Sequence, residues 1–336
     1  MSERLPVAVI GTGRMGGYHA QVCAESPDVD LVAVVDADAA RASETGKKYG
    51  AKAAASVDAH LGHIAAAVVA VPTDSHLQIA KPLLERGIHC LVEKPLAMVP
   101  QEADQLLQAA AKGRAVLQVG HTERFNPAFM ALGRYNLKPR FIETERISPC
   151  RFRSMEIGVV MDMMIHDIDL VLSLVRSEIE SIDAVGVNVI AATEDMANVR
   201  VRFANGCVAD MAASRASLKV ERRIRIFAEN GYAGVDFGAK RGVFIRPTDQ
   251  LAELRAGAIR SGQFDPSAVG DESFEDLLDV QEIRIDDHDA LTEQLAAFVR
   301  AVRDDAQVVV TGEDGRRAVA LARQIVDAIG ARPMGR

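Results

Sequence analysis

Val7-Ala8-Val9-Ile10-Gly11-Thr12-Gly13-Arg14-Met15-Gly16 decides the fold of this chain. Four apolar residues run into Gly-x-Gly-x-x-Gly, and residues 15–26 then read as a helix. A buried strand, a glycine turn and a helix, in that order, open the βαβ unit that holds a dinucleotide. Gly11 suits the tight turn, Gly13 the close approach of backbone to a pyrophosphate, and Gly16 the packing of helix on strand. The helix N-terminus offers amide donors and the positive end of a dipole to phosphates. Thr12, Arg14 and Met15 share that turn and are assigned to the cofactor with the glycines. Asp36 ends the next apolar run, residues 31–35, and follows Gly16 by 20 positions. An acid there accepts hydrogen bonds from the adenosine ribose and repels a 2′-phosphate, so NAD is expected and NADP disfavoured. Arg41, close by, is read as a residue of a solvated helix face.

Further apolar runs follow at residues 65–71, 88–92 and 115–119, each stopping at a polar residue, Pro or Gly. Short, Val-rich and apolar on both faces, they fit buried parallel strands. Helical stretches at residues 38–49, 75–86 and 99–112 alternate with them, which predicts a doubly wound Rossmann sheet. After residue 121 the pattern changes. One long helix is predicted over residues 160–175, then strands over 182–191, 197–203, 207–214, 223–228 and 232–237. Asn205-Gly206 between two of these is a hairpin signal. Residues 257–289 read as a long loop, and 290–303 and 315–329 as closing helices. The expected organisation is an α/β Rossmann domain over residues 1–121 and an α+β domain over 122–336 whose open sheet is mostly antiparallel.

The chain has 336 residues, a net charge of −8 and 4% aromatic residues with no Trp. That balance argues against a nucleic-acid or anionic-membrane surface. The longest apolar run, residues 64–72, is far short of a membrane span. Cys23, Cys90, Cys150 and Cys207 are scattered without metal-ligand spacing, so free thiols and no metal are expected. No signal-peptide pattern opens the sequence, and a cytoplasmic enzyme is the expectation.

Two segments at strand ends carry candidate chemistry, because ligands bind at the carboxyl ends of strands in open α/β sheets. In Val71-Pro72-Thr73-Asp74-Ser75-His76, residues Val71, Pro72, Thr73 and His76 are assigned to the cofactor. A helix cap at Thr73 or Asp74 weighs evenly against that reading. In Glu93-Lys94-Pro95, Lys94 is a positioned cation and Glu93 lies beside it. Downstream, Asp162-Met163-Met164-Ile165-His166-Asp167-Ile168-Asp169 spaces Asp162 and His166 at i, i+4 on one helix face. A His flanked by carboxylates at helical spacing is a candidate base, since a carboxylate orients the ring and tunes its pKa.

Residues 11–16 (GTGRMG), 93–97 (EKPLA) and 162–169 (DMMIHDID), in this order, resemble the glucose–fructose oxidoreductase / inositol dehydrogenase / rhizopine catabolism family over nearly the whole chain. Residues 311–318 (TGEDGRRA) are similar to that family's closing signature. The resemblance implies a Rossmann domain joined to an α+β domain whose open sheet forms a homodimer or homotetramer interface. It also implies a catalytic set of Lys94, Asp162 and His166. His166 would take the hydroxyl proton, and Lys94 would stabilise the developing negative oxygen. The role of Asp162 stays open between His166, Lys94 and a neighbouring substrate hydroxyl. One departure is Met164, which stands where the family commonly has glycine.

Residues 120–129 (GHTERFNPAF), 145–149 (ERISP) and 157–160 (IGVV) look like the family branch acting on UDP-N-acetylglucosamine at the 3-hydroxyl. Arg140, Arg146, Arg151 and Arg153 lie close in sequence in an acidic protein, and guanidinium forks suit a diphosphate. A solvated or dimer-interface basic strip is the competing reading, with equal weight. The substrate-side candidates are His121, Arg124, Asn126, Arg146, Arg151 and Arg153. Two alternatives stand beside a nucleotide-sugar dehydrogenase: an inositol or free-sugar dehydrogenase, and a non-catalytic NAD-sensing regulator. The complete Lys94, Asp162 and His166 set argues against the last.

Overall fold

The computed structural model describes residues 4–150, 155–261 and 276–330. The first sheet comprises β1 (Leu5–Ile10), β2 (Val29–Val35), β3 (Lys52–Ala54), β4 (Ala66–Val69), β5 (His89–Glu93) and β6 (Leu117–Gly120). Its order is β3-β2-β1-β4-β5-β6, and every pairing is parallel. Helices α1 (Arg14–Glu25), α2 (Ala39–Tyr49), α3 (His76–Glu85) and α4 (Pro100–Gly113) make the crossovers. The order reverses between β1 and β4, so the crevice of this doubly wound sheet opens just past Ile10 and Val69. Strand β3 escaped the sequence reading because three residues of Lys and Ala carry no hydrophobic period.

Both faces of the sheet are apolar. Ala8, Ile10, Val69 and Val92 pack toward Leu83, Leu84 and Leu106 of α3 and α4. Val7, Val9, Leu31 and Val68 pack on the other side. That second layer is completed from far along the chain: Leu295, Phe298 and Val299 belong to α8 (Ala290–Arg303).

The remaining elements are α5 (Pro127–Leu132), β7 (Pro139–Ile147), α6 (Ile165–Val175), β8 (Ile179–Val187), β9 (Met196–Phe203), β10 (Val208–Ser214), β11 (Glu221–Ala228), β12 (Gly231–Asp236), β13 (Arg241–Pro247), α7 (Asp249–Ser261), β14 (Leu278–Glu282) and α9 (Gly312–Gly330). The eight strands form one sheet in the order β14-β13-β12-β11-β7-β10-β9-β8. Among the described residues only β7 and β10 pair in parallel. One face packs on α6 and α9 through Met164, Ile165, Ile168, Leu321 and Ile325. The other face carries cross-strand ion pairs such as Arg200–Asp210, Arg223–Glu145 and Arg225–Glu143. The Asn205-Gly206 hairpin joins β9 to β10, with Gly206 at φ +81° where only glycine is unstrained.

The expectation of one long loop over residues 257–289 is corrected. Helix α7 reaches Ser261, and β14 supplies an edge strand whose ladder to β13 satisfies its backbone. β7 and β13 are also additions to the sequence reading. On β7 the inward positions are Ile142, Thr144 and Arg146, so a polar residue and a charge sit where periodicity looks for apolar ones.

Candidate active site

The cofactor cleft is built from the turn after β1. Gly11 adopts φ +87°, and a Cβ there would lie 2.6 Å from the Ala70 carbonyl oxygen. A Cβ on Gly16 would lie 1.6 Å from the Gly11 oxygen, so α1 can approach the turn only through a hydrogen atom. Gly13, at the N-cap of α1, has nothing within 4 Å of where its Cβ would be. The close contacts thus fall at Gly11 and Gly16 and the open space at Gly13, which suits a pyrophosphate seated on the helix N-terminus. Arg14 and Met15 are exposed at that mouth, with Arg14 turned toward the Tyr18 ring.

Asp36 is 8% exposed. Its Oδ2 accepts from the Thr12 amide at 2.7 Å and the Thr12 hydroxyl at 2.9 Å. Its Oδ1 accepts from the Asp38 amide at 2.8 Å and from Arg41 at 3.0 Å. Burial alone would raise its pKa; the four donors outweigh burial and bring it down to about 2. It is a fixed anion at the end of β2, which fits a ribose diol. Arg41 is not the freely solvated residue expected, because its guanidinium closes on this carboxylate.

Across the cleft, the 71–76 segment behaves differently from its sequence reading. No side chain caps α3, so neither Thr73 nor Asp74 does so. His76 is buried, with Nδ1 3.0 Å from the Pro95 carbonyl and Nε2 3.0 Å from the Val71 carbonyl. Its role here is to tie the two loops that rim the cleft, whereas Val71, Pro72 and Thr73 stay at the open edge. Glu93 is buried against His19 of α1, Oε1 to Nε2 at 2.7 Å, which locks β5 to α1 behind the cleft. Burial opposes its ionisation, but His19 and Lys94 hold its pKa below the usual range.

Lys94 follows β5 and reaches across to the second domain. Its Nζ donates to the backbone carbonyl of Asp162 at 2.7 Å and lies 3.4 Å from Asp162 Oδ1. Asp162 sits in a π-helical turn, Val160–Met164, that leads into α6. Such turns widen the helix and re-aim a carbonyl, and they recur at functional sites. His166 lies in the first turn of α6. Its Nδ1 is buried without a partner among the described residues, whereas the residue as a whole keeps part of its surface exposed. Burial, then Lys94 and Arg146, push its pKa well below the ordinary histidine value. The ring is therefore neutral at pH 7 and able to accept a proton. The structure thus brings Lys94, Asp162 and His166 together, with the Asp162 carboxylate directed to Lys94.

The substrate-side candidates are placed differently from expectation. His121 is buried with no partner for either ring nitrogen, and its pKa falls to about 3 through burial and the nearby Lys94 and Arg124. Arg124 is 3.5 Å from buried Asp169 and donates to the Val309 carbonyl. Asn126 caps α5 through the Ala128 amide. Arg146 is buried and bidentate to Asp167, at 2.9 Å for both bonds, with a third bond to Glu123 at 2.9 Å. Arg140 stands at the opposite end of β7, ~20 Å away at strand rise, paired with Glu229. The expected cluster of arginines on a diphosphate therefore does not form from Arg140 and Arg146. Arg151 and Arg153 lie outside the described residues.

Three contributors went unassigned in the sequence. His19 and Asp167 hide on buried helix faces next to residues that were singled out. Arg222, on β11, faces inward opposite Arg146 in register and is half exposed, 4.0 Å from Glu123. Its signal was available: Arg222, Ile224 and Ile226 share a strand face on which a cation is out of place.

Residues 5–121 match the family described as an oxidoreductase family with an NAD-binding Rossmann fold, and residues 101–233 match the GFO/IDH/MocA C-terminal domain. A UDP-N-acetylglucosamine 3-dehydrogenase from Acidithiobacillus ferrooxidans is 35% identical across 94% of this chain and 95% of its own length. A solved structure of the enzyme of that name from the same organism superimposes with a TM-score of 0.86 at 33% identity, covering 98% and 99% of the two chains. An inositol 2-dehydrogenase from Rhizobium meliloti is 27% identical over 96% of both chains. This chain belongs to the GFO/IDH/MocA family. It is an NAD-binding oxidoreductase.

Two features separate this GFO/IDH/MocA member from expectation or explain its build. Met164, in the place of the common glycine, is wholly buried in the second core, so its bulk does not enter the cleft. The closing signature is a helix cap: Asp314 Oδ2 accepts from the Thr311 amide at 2.9 Å, and the Asp314 amide donates to the Thr311 hydroxyl at 3.1 Å. There α9 meets the edge of β6, where the Val119 amide donates to the Val310 carbonyl at 3.0 Å.

Proposed function

We propose that this enzyme oxidises a secondary hydroxyl of a sugar, with Lys94, Asp162 and His166 at the reacting centre. The observation that carries this reading is Lys94 Nζ held 2.7 Å from the Asp162 carbonyl, with the neutral His166 ring one helical turn on, at the mouth of the dinucleotide cleft. NAD, when bound, supplies the hydride acceptor. The residues do the rest. The substrate O–H and C–H bonds break and a C=O bond forms. The hydroxyl proton goes to Nε2 of His166, the ring nitrogen that is not sealed. The Lys94 ammonium stabilises the oxygen as its charge grows. Asp162 holds Lys94 in place. The cofactor residues are Gly11, Thr12, Gly13, Arg14, Met15, Gly16 and Asp36, with Val71, Pro72 and Thr73 at the rim; Glu93 and His76 act behind them. Residues 1–121 form the cofactor domain and 122–336 the substrate side, with α8 returned to the first sheet.

The substrate we favour is a UDP-sugar carrying an N-acetylglucosamine, oxidised at the 3-hydroxyl. Similarity to the Acidithiobacillus enzyme along nearly the full length supports this. Arg222 is the half-exposed cation beside His166 that would meet an anionic substrate group. A free polyol is the second reading. The burial of Arg146 and the remoteness of Arg140 favour it, since they withdraw two cations from any diphosphate. The assembly we favour is a homodimer or homotetramer through the outer face of the second sheet, where Val185, Val187, Phe227 and Val280 are exposed. No helix among the described residues is long and apolar enough to cross a membrane. Free thiols at all four cysteines support a reducing compartment, the cytoplasm. The test is NADH fluorescence with UDP-N-acetylglucosamine, free N-acetylglucosamine and myo-inositol, coupled to a ketone trap. Signal with the UDP-sugar alone supports the first substrate; signal with inositol or free sugar replaces it with the second.

A further inference from the structure

Among the described residues His166 lacks what a histidine base ordinarily has, a protein group that holds its second nitrogen. Its Nδ1 is buried with no hydrogen-bond partner, and the nearby Asp162 carboxylate is engaged by Lys94. The ring that stands against it is His121, with centroids 6.4 Å apart and planes at 85°. His121 is 1% exposed and both its nitrogens are without partners. Buried polar atoms without partners are rare, and three on two adjoining rings mark a shared interaction. Ring nitrogens lie about 1.2 Å from their centroids, so at 6.4 Å between centroids no nitrogen of one ring comes nearer than about 4 Å to a nitrogen of the other; that excludes a direct hydrogen bond of ~2.7–3.2 Å, and nitrogens turned toward each other fall within the span of one bridging water.

We propose that His121 is a positioning residue for His166: through one bound water it accepts the hydrogen bond of His166 Nδ1–H, fixing the tautomer that leaves Nε2 as the proton acceptor. This rests on the reading of His166 as the base. The hydroxyl proton still ends on Nε2 of His166, and none passes to His121. The charged groups around His166 are Lys94, Arg146 and Arg222; those around His121 are Lys94, Arg124, Glu93 and Asp314. Burial first, then the cations Lys94 and Arg124, keep His121 neutral, and a neutral ring has the lone pair that accepting requires.

The test uses the full chain, His121→Phe and His121→Asn, with histidine-selective 15N labelling and steady-state kinetics. In the wild type the His166 ring shifts should report the proton on Nδ1. His121→Phe should mix the tautomers and lower kcat about 10- to 100-fold, the size seen when the group that orients a metal-bound histidine is removed, with KM and NAD affinity held. His121→Asn, which retains an acceptor, should recover part of the loss. A raised KM at unchanged kcat would overturn the proposal in favour of a substrate contact. A lowered Tm with tautomer and kcat intact would overturn it in favour of packing. If no sugar is turned over, the tautomer still decides: Nε2–H at His166 in the wild type overturns the pairing, whereas Nδ1–H lost in His121→Phe upholds it.

Discussion

Replacing Arg146 with Met should damage the stability of this enzyme, not its affinity for substrate. Arg146 is 6% exposed at its side chain and neutralises Asp167, 2% exposed, and Glu123, 12% exposed. Burial pushes the Asp167 pKa up even with Arg146 beside it, so the pair is held at a cost in desolvation. Methionine matches the volume but leaves buried Asp167 uncompensated and Glu123 with only Arg222 at 4.0 Å and the Asn126 amide, and breaking a buried pair from one side costs about 3–5 kcal/mol. If all 336 residues unfold together, an unfolding entropy of ~2.1 cal/mol/K per residue makes each kcal/mol worth about 1.4 °C, a fall of about 4–7 °C in Tm. The loss carries a pH signature. In the variant Asp167, already raised by burial, loses the cation that opposed the rise, so its folded pKa lies further above its unfolded one; the destabilisation is full above that raised value and fades as pH falls toward ~4. Scanning fluorimetry from pH 4.5 to 8 reads both effects. An unchanged Tm with a raised KM for a UDP-sugar would refute the buried-pair reasoning and return Arg146 to the substrate.

Three more outcomes are expected. His166→Ala should lower kcat by about 10²–10⁴ with NAD affinity unchanged; in the wild type, because the His166 pKa lies below the ordinary value, the acid limb of kcat/KM should fall below pH 6.5, and a limb above pH 7 would contradict its assignment. Gly16→Ala sets a methyl 1.6 Å from the Gly11 oxygen, so it should abolish NAD binding, read by NADH fluorescence titration; binding at wild-type strength would mean that the turn is not rigid. Asp36→Asn should weaken NAD more than NADP, because the amide no longer repels a 2′-phosphate and Arg41 is released; equal losses for both would exclude Asp36 as the discriminator.

The sequence made the cofactor half of the site legible because that half is written in local terms. Gly11, Gly13, Gly16 and Asp36 each answer a backbone or strand-end requirement at a fixed offset. Lys94 and His166 were legible through motif alone, since nothing local dictates that they meet. Arg146 and His121 stand in surroundings that the sequence did not indicate, for a physical reason. Charge and ring chemistry in a sequence say what a side chain can bind, whereas burial decides what it does bind, and burial here follows from pairing β7 with β11 and from setting His121, just past β6, against His166 of α6. β14 was missed because Leu278-Asp279-Val280-Gln281-Glu282 is stabilised by a neighbouring strand more than by its own hydrophobic pattern.

The placement of α8 bears on how this chain is made. Leu295, Phe298 and Val299 finish a layer begun by Val7 and Val9 and partly covered by Ala20 and Cys23 of α1, so the first sheet leaves the ribosome with one apolar flank only partly covered. Its cover arrives some 180 residues later, a wait of about 9–36 s at ~5–20 residues per second. Through that interval part of the apolar flank behind the cofactor cleft faces water, and the layer that backs β1 is closed only as synthesis nears its end.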